Sequence, residues 1–137
     1  MQLTPVIAVH MTAALAALAV GPLALWARRG TTPRPRLHRA FGYAWVTLMV
    51  LTAVSAIFIR DHSLPNIAGY TPIHLLVPVT LGGLVLAFRR LAQRDIAGHR
   101  TAMRWLYFSA CVVAGAFTLL PQRYLGQLLW RQLGLLA

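Results

Sequence analysis

Long apolar runs alternate with short arginine-rich stretches along this chain. Four runs dominate the pattern, and they cover about residues 4–27, 38–60, 70–88 and 97–120. Each is close to the roughly 20 residues that an α-helix needs to cross a hydrocarbon core, whereas a membrane strand needs about half that length. The pattern predicts an all-α integral membrane protein, a four-helix up-down-up-down bundle that forms a single membrane domain over residues 1–137.

The remaining segment, residues 121–137, is too short to cross a membrane again. Its leucines are spaced to form one apolar face of a helix, at Leu125, Leu128, Leu129 and Leu133. Such a segment is typical of a short interfacial helix that lies on the membrane surface. A frayed tail is the alternative interpretation.

Composition narrows the class of protein. The chain is 58% hydrophobic and 11% charged, whereas a soluble domain carries about a quarter charged residues. An ordinary soluble enzyme domain, a disordered tail and a disulfide scaffold are therefore excluded. The single cysteine, Cys111, lies inside an apolar run and is expected to be a small buried core residue.

Charge is one-sided, with 13 arginines, no lysine and two aspartates, giving a net charge of +11. The arginines lie between the apolar runs and form no basic stripe on a polar domain, so nucleic acid is not the expected partner. Nine arginines fall in the first and third connections, against Arg60, Arg123 and Arg131 on the opposite side. The positive-inside rule then predicts that both termini lie outside the cytoplasm.

Histidine provides the candidate chemistry. Of five histidines, four lie one per predicted helix, and the fifth, His62, follows Asp61 in an outer loop. Helices one and three start outside and helices two and four start inside. His10 and His74 should therefore form a pair near the outer leaflet, and His38 and His99 a pair near the inner leaflet.

Two imidazoles from facing helices are what a low-spin b-type haem requires, so the sequence predicts one or two haems. Arg39 and Arg100 follow the inner histidines directly and could neutralise haem propionates. The alternative interpretation is that these histidines are structural. A histidine in the headgroup region costs little free energy, and His10 could form a hydrogen bond to a neighbouring helix. Small residues could make room for a macrocycle or simply pack helices; they are Ala14, Ala17, Gly21, Gly42 and Gly82.

On the haem hypothesis the protein is a membrane electron-transfer cytochrome, an oxidoreductase in that sense, with a quinone or another redox partner. A second hypothesis is a non-catalytic accessory or assembly subunit, and a third is a small metal-handling transporter that uses His10, His74 and methionine residues. No nucleophile–base pair, phosphate loop or carboxylate pair supports hydrolase or ATPase chemistry. The spacing of Ala17 and Gly21 suits packing within the bundle or between protomers, so the oligomeric state stays open.

Three motifs carry a family resemblance: His10 with the Ala-rich run to Gly21-Pro22-Leu23, the stretch 37–42, and the stretch 94–100 with the residues after it. They resemble a bacterial family of small four-helix predicted membrane proteins of unknown function. The four histidines are also distantly similar to the cytochrome b561 class. That resemblance implies two bis-histidine haems on opposite membrane sides, held by the pairs of alternate helices named above, but no electron donor or acceptor.

Overall fold

The computed structural model describes residues 3–28, 34–60, 62 and 65–135. No strand occurs within these ranges, and a β-bridge joins Ile67 to Tyr70 in the loop after the second helix. The all-α prediction is confirmed. The helical elements in chain order are α1 (Pro5–Trp26), α2 (Pro35–Ile57), a 3₁₀ turn (Pro72–Leu75), α3 (Leu76–Ala92), α4 (Ile96–Leu106), a π-helical segment (Tyr107–Val113), α5 (Ala114–Thr118) and α6 (Tyr124–Gln132).

Three of the described helices are long and apolar enough to cross a membrane: α1, α2 and the rod Pro72–Ala92 that joins the 3₁₀ turn to α3. With 22 residues, α1 is about 33 Å long, close to the thickness of a hydrocarbon core. The fourth apolar segment is helical from Ile96 to Thr118, but the π-helical segment divides it into three consecutive elements. It carries Arg100 and Arg104 near its start.

The helices form an antiparallel ring. In this ring α1 packs against α2, α2 against α3 and α3 against α4, and the π-helical segment returns to α1. The Tyr107 hydroxyl closes the ring by donating to the Leu18 carbonyl of α1 across 3.1 Å. The bundle therefore has one end at the α2–α3 loop, named here the His10 end. The opposite end, at the α1–α2 and α3–α4 connections, is named the arginine end.

The centre of the bundle is a compact apolar core. Small residues on α1 let the neighbouring helices approach closely, and a Cβ added at Gly21 would lie 2.5 Å from the Tyr107 ring. Cys111 lies in this core, as expected, and donates to the Met49 sulfur across 3.5 Å. The buried members are Ala17, Trp45, Met49, Leu84, Leu106 and Cys111.

A tight turn joins α3 to α4. Arg94 adopts a φ of 60°, and the Asp95 N–H reaches back to the Arg90 carbonyl across 2.9 Å. This is the Schellman arrangement, with arginine where glycine is usual. Asp95 then caps α4, because its carboxylate accepts from the Gly98 N–H at 2.8 Å and from Arg90 at 2.9 Å.

After α5 the chain folds back as α6. The Trp130 indole N–H donates to the Leu119 carbonyl across 2.8 Å. Gly126 lies directly against the Leu120 carbonyl oxygen, where a larger residue would collide. A helix therefore forms in the predicted tail, over Tyr124–Gln132; positions 136 and 137 lie outside the described residues.

Candidate functional site

A cavity of about 230 Å³ opens inside the bundle at the His10 end. Its walls come from α1, α2, the 3₁₀ turn, α3, the π-helical segment, α5 and the start of α6. Most of the lining is aliphatic, and His10 and His74 both contribute to it. The structure therefore brings together the two histidines of the predicted outer pair, from two different helical rods.

His10 is held in one orientation by α2. Its Nδ1 lies 3.0 Å from the Thr52 carbonyl oxygen and 3.1 Å from the Ser55 hydroxyl. The carbonyl oxygen can only accept, and the Ser55 hydroxyl already donates to the same carbonyl at 3.0 Å. Nδ1 must therefore carry the proton in the neutral ring, which leaves Nε2 with its lone pair.

A second polar group on this wall has no partner. Thr52 is one of the lining residues, and its hydroxyl oxygen is buried and makes no hydrogen bond within the described part of the chain. A buried hydroxyl without a partner costs free energy.

His74 is held differently from His10. Its Nδ1 accepts from the Thr71 N–H at 3.1 Å, as part of a capping box at the 3₁₀ turn. Its Nε2 lies 2.9 Å from the Ile59 carbonyl oxygen, just beyond the end of α2, and must donate to it. The ring also packs edge-on against Tyr70, with centroids 5.1 Å apart. Both nitrogens of His74 are thus engaged, in the opposite tautomer to His10.

The two histidines at the arginine end, His38 and His99, make the same kind of hydrogen bond. Nδ1 of His38 lies 2.8 Å from the Ala24 carbonyl oxygen of α1. Nδ1 of His99 lies 2.9 Å from the Ala87 carbonyl oxygen of α3. Each ring is half-buried, and each Nδ1 must be the donor, which leaves Nε2 with its lone pair.

These bonds expose an internal repeat. The α1–α2 and α3–α4 hairpins each carry two histidines. The first is His10 in α1 and His74 in the 3₁₀ turn that leads into α3, and the second lies near the start of the second helix. In each hairpin the second histidine binds the last residue of a buried stripe with the same spacing. The stripes are Ala17, Gly21 and Ala24 in α1, and Thr80, Leu84 and Ala87 in α3. His10 is thereby the counterpart of His74, and His38 that of His99.

Arg39 and Arg100, the candidate propionate partners, are exposed at the arginine end. The ion pair found in the described ranges joins Arg90 to Asp95, so both candidates stay available to an external anion. In the α1–α2 connection, Arg29 lies outside the described residues. In the α2–α3 loop, Asp61 also lies outside them. His62 itself is exposed, and its ring faces Gly69.

The Asp95 carboxylate lies between α3 and α4, outside the spanning segments. The Gly98 N–H, and then the Arg90 guanidinium, hold its pKa below the ordinary value for aspartate. Across the described part of the chain, no three His, Cys, Asp or Glu side chains cluster as a metal site would require. The described residues therefore form no metal site built from three or more such side chains. A haem differs in this respect, because its iron needs only two histidines from the protein.

The small residues proposed to make room for a macrocycle divide into two groups. Ala14 and Ala17 line the cavity. Gly42 and Gly82 have nothing within 4 Å of an added Cβ, and Gly21 instead accommodates Tyr107. Sequence reasoning missed Thr52 and Ser55, because a lone hydroxyl in an apolar run carries no signal until its helical neighbour is known.

Together, the apolar spans, the closed ring and the histidine-lined cavity define a helical membrane protein with an internal cavity. Residues 7–129 match the family described as "Predicted membrane protein (DUF2306)". Because this match covers most of the chain, the protein belongs to that family, which confirms the resemblance of its motifs. Comparison with curated proteins and with solved structures found no match, so the likeness to cytochrome b561 stays a prediction.

Proposed function

We propose that this protein is a b-type cytochrome of the bacterial inner membrane that carries electrons across the bilayer. The observation that carries the proposal is the cavity at the His10 end, which two histidines from different rods share. Haem iron accepts and releases one electron between its ferric and ferrous states, and axial histidines and the surrounding burial tune its potential. His10 and His74 would hold the haem in this cavity.

The donor set fits this role, with one adjustment. A metal-ligating histidine usually donates its other ring N–H to a carbonyl or carboxylate, which fixes the tautomer and orients the ring. His10 already has this arrangement through the Thr52 carbonyl. His74 would have to exchange its Nε2 bond to the Ile59 carbonyl for the iron.

The second pair supports a second haem at the arginine end. Nδ1 of His38 and Nδ1 of His99 each bind a helix carbonyl, which is the same orienting bond that His10 makes. Arg39 and Arg100 would pair with propionates there, since a guanidinium binds a carboxylate with two parallel hydrogen bonds. Two haems at opposite ends of the bundle would divide the membrane crossing into short electron hops.

The charge pattern supports an orientation of the protein in the membrane. The arginine end would face the cytoplasm by the positive-inside rule, and the His10 end and both termini would face the outside. A quinone or another redox partner would exchange electrons at one of the two ends.

The test is an absorbance spectrum of the detergent-purified protein, oxidised and reduced with dithionite, with haem quantified as the pyridine haemochrome. The wild type is expected to show a Soret band that sharpens on reduction, with about two haems per chain, as required by two bis-histidine sites. His10→Ala and His74→Ala should each lower the content to one haem, and so should His38→Ala and His99→Ala. His62→Ala is the matched control and should keep both haems.

Unchanged haem content in a histidine variant would overturn the assignment of that residue. Loss of haem in His62→Ala as large as in the others would show that the effect is not specific to the site. A colourless wild type, expressed with ample haem and monodisperse on size exclusion, would refute the proposal. Co-purifying subunits would then favour the accessory role, and bound metal without haem the metal-handling role.

A further inference from the structure

A groove runs between α2 and α3 on the outside of the bundle. Its floor and walls are aliphatic and aromatic, and it ends at a charged residue, Arg89. Both helices are candidate spans, so the apolar length of the groove faces hydrocarbon. The groove is lined by Val46, Val50, Leu81, Leu84, Val85, Phe88, Arg89 and Ala92.

Depth along α3 places the charge at one end of this groove. Arg89 lies three residues before Ala92, where α3 ends at the arginine end of the bundle, whereas Leu81 lies two turns deeper. An arginine near a helix end extends its guanidinium toward the headgroups while its stem stays in the apolar layer. The groove therefore combines an apolar surface that suits an acyl chain with an exposed cation at headgroup depth.

Arg89 has no anion of its own within the described chain. The neighbouring Arg90 takes the Asp95 carboxylate at 2.9 Å. The whole protein has 13 arginines against two aspartates, and the other aspartate, Asp61, follows the opposite end of α2. Within the described residues, Arg89 is therefore available to an anion from outside the chain.

We propose that this groove is a binding site for one anionic glycerophospholipid. One acyl chain lies against Val50 and Val85, and the phosphate pairs with the Arg89 guanidinium, which binds phosphate with two parallel hydrogen bonds. This site is separate from the cavity at the His10 end, and it does not depend on whether that cavity holds haem.

The test is native mass spectrometry of the full chain in detergent, with added phosphatidylglycerol or phosphatidylcholine of identical acyl chains. The wild type should retain phosphatidylglycerol in preference to phosphatidylcholine. Arg89→Gln should weaken phosphatidylglycerol binding about fivefold, the equivalent of the roughly 1 kcal/mol that one basic residue contributes near an anionic lipid surface. Arg131→Gln, an exposed arginine of α6, is the matched control and should bind as the wild type does.

Two further variants separate the headgroup from the chain. Arg89→Lys keeps the charge and should retain most of the binding, whereas Val85→Trp fills the groove and should lower retention of both lipids. Equal retention by Arg89→Gln and Arg131→Gln would overturn the headgroup contact, and unchanged retention in Val85→Trp would overturn the seat of the acyl chain. A co-purifying apolar protein helix in place of lipid would also refute the proposal.

Discussion

Gly21→Ala tests how tightly the central core is packed. The added Cβ would lie 2.5 Å and 2.6 Å from two carbons of the Tyr107 ring, and 3.1 Å from the indole nitrogen of Trp45. Real Cβ atoms do not approach other atoms this closely, so the tyrosine ring must move. That movement also disturbs the 3.1 Å bond from its hydroxyl to the Leu18 carbonyl.

The magnitude follows from two costs. Overpacking a filled core costs about 1–3 kcal/mol, and losing a neutral hydrogen bond costs about 1 kcal/mol. Replacing glycine in a helix also changes helix propensity, and Gly82→Ala isolates that contribution, because its Cβ would meet nothing within 4 Å. Gly21→Ala should therefore be about 3 kcal/mol less stable than Gly82→Ala.

The assay is thermal unfolding in one detergent, followed by tryptophan fluorescence and by size exclusion after heating. The expected difference corresponds to a Tm about 10 °C lower for Gly21→Ala than for Gly82→Ala in a chain of this size. Introducing Gly21→Ala into a Tyr107→Ala background should cost much less, because the ring that it strikes is gone. Equal Tm values for the two glycine variants, or an equal cost in both backgrounds, would refute the packing argument.

Three other predictions concern the connections. Because the Gly98 N–H and Arg90 lower the pKa of Asp95, its stabilising effect should be complete above about pH 4, the ordinary aspartate value. This stabilising effect should fade as the pH falls through the lowered pKa. In thermal scans from pH 7 to 3, Asp95→Asn should therefore lose less stability at low pH than the wild type does. An identical pH profile for the two proteins would contradict the prediction. Arg94→Gly should raise stability by about 1 kcal/mol, since φ of 60° strains a side chain; a lower Tm would count against this. Trp130→Phe removes the indole bond to the C-cap carbonyl of α5 and should speed proteolysis of α6, and unchanged cleavage rates would show that the bond does not hold α6.

Hydrophobic patterning was sufficient to predict the helices but not their ends. The second apolar run was expected from residue 38, whereas α2 begins at Pro35, where proline suits the first helical position. The third was expected to end at residue 88, yet α3 continues through Arg89 and Arg90 to Ala92. Arginine is a good helix former, so a charge that ends the apolar run does not end the helix.

For the candidate site, the sequence predicted only the depth of each histidine in the membrane. Sequence placed His10 and His74 at one level, and the cavity that they share is the structural counterpart of that prediction. It could not place Ser55 and Thr52 against His10, because that contact depends on the rotation of α2 about its own axis. The π-helical segment beside the cavity was equally hidden, since residues 107–113 read as an ordinary apolar run.

The paired hairpins have a consequence for symmetry. Two separate copies of one hairpin around a twofold axis would have to present identical groups to a ligand between them. Joined in one chain, the halves can differ, and they do: His10 offers a lone pair where its counterpart His74 donates an N–H. The two histidine-bearing walls of this mostly aliphatic cavity therefore differ, because His10 keeps a ring nitrogen with its lone pair while both nitrogens of His74 are engaged. A flat molecule with unlike faces or edges would be held in one orientation of the two that a symmetric site would allow.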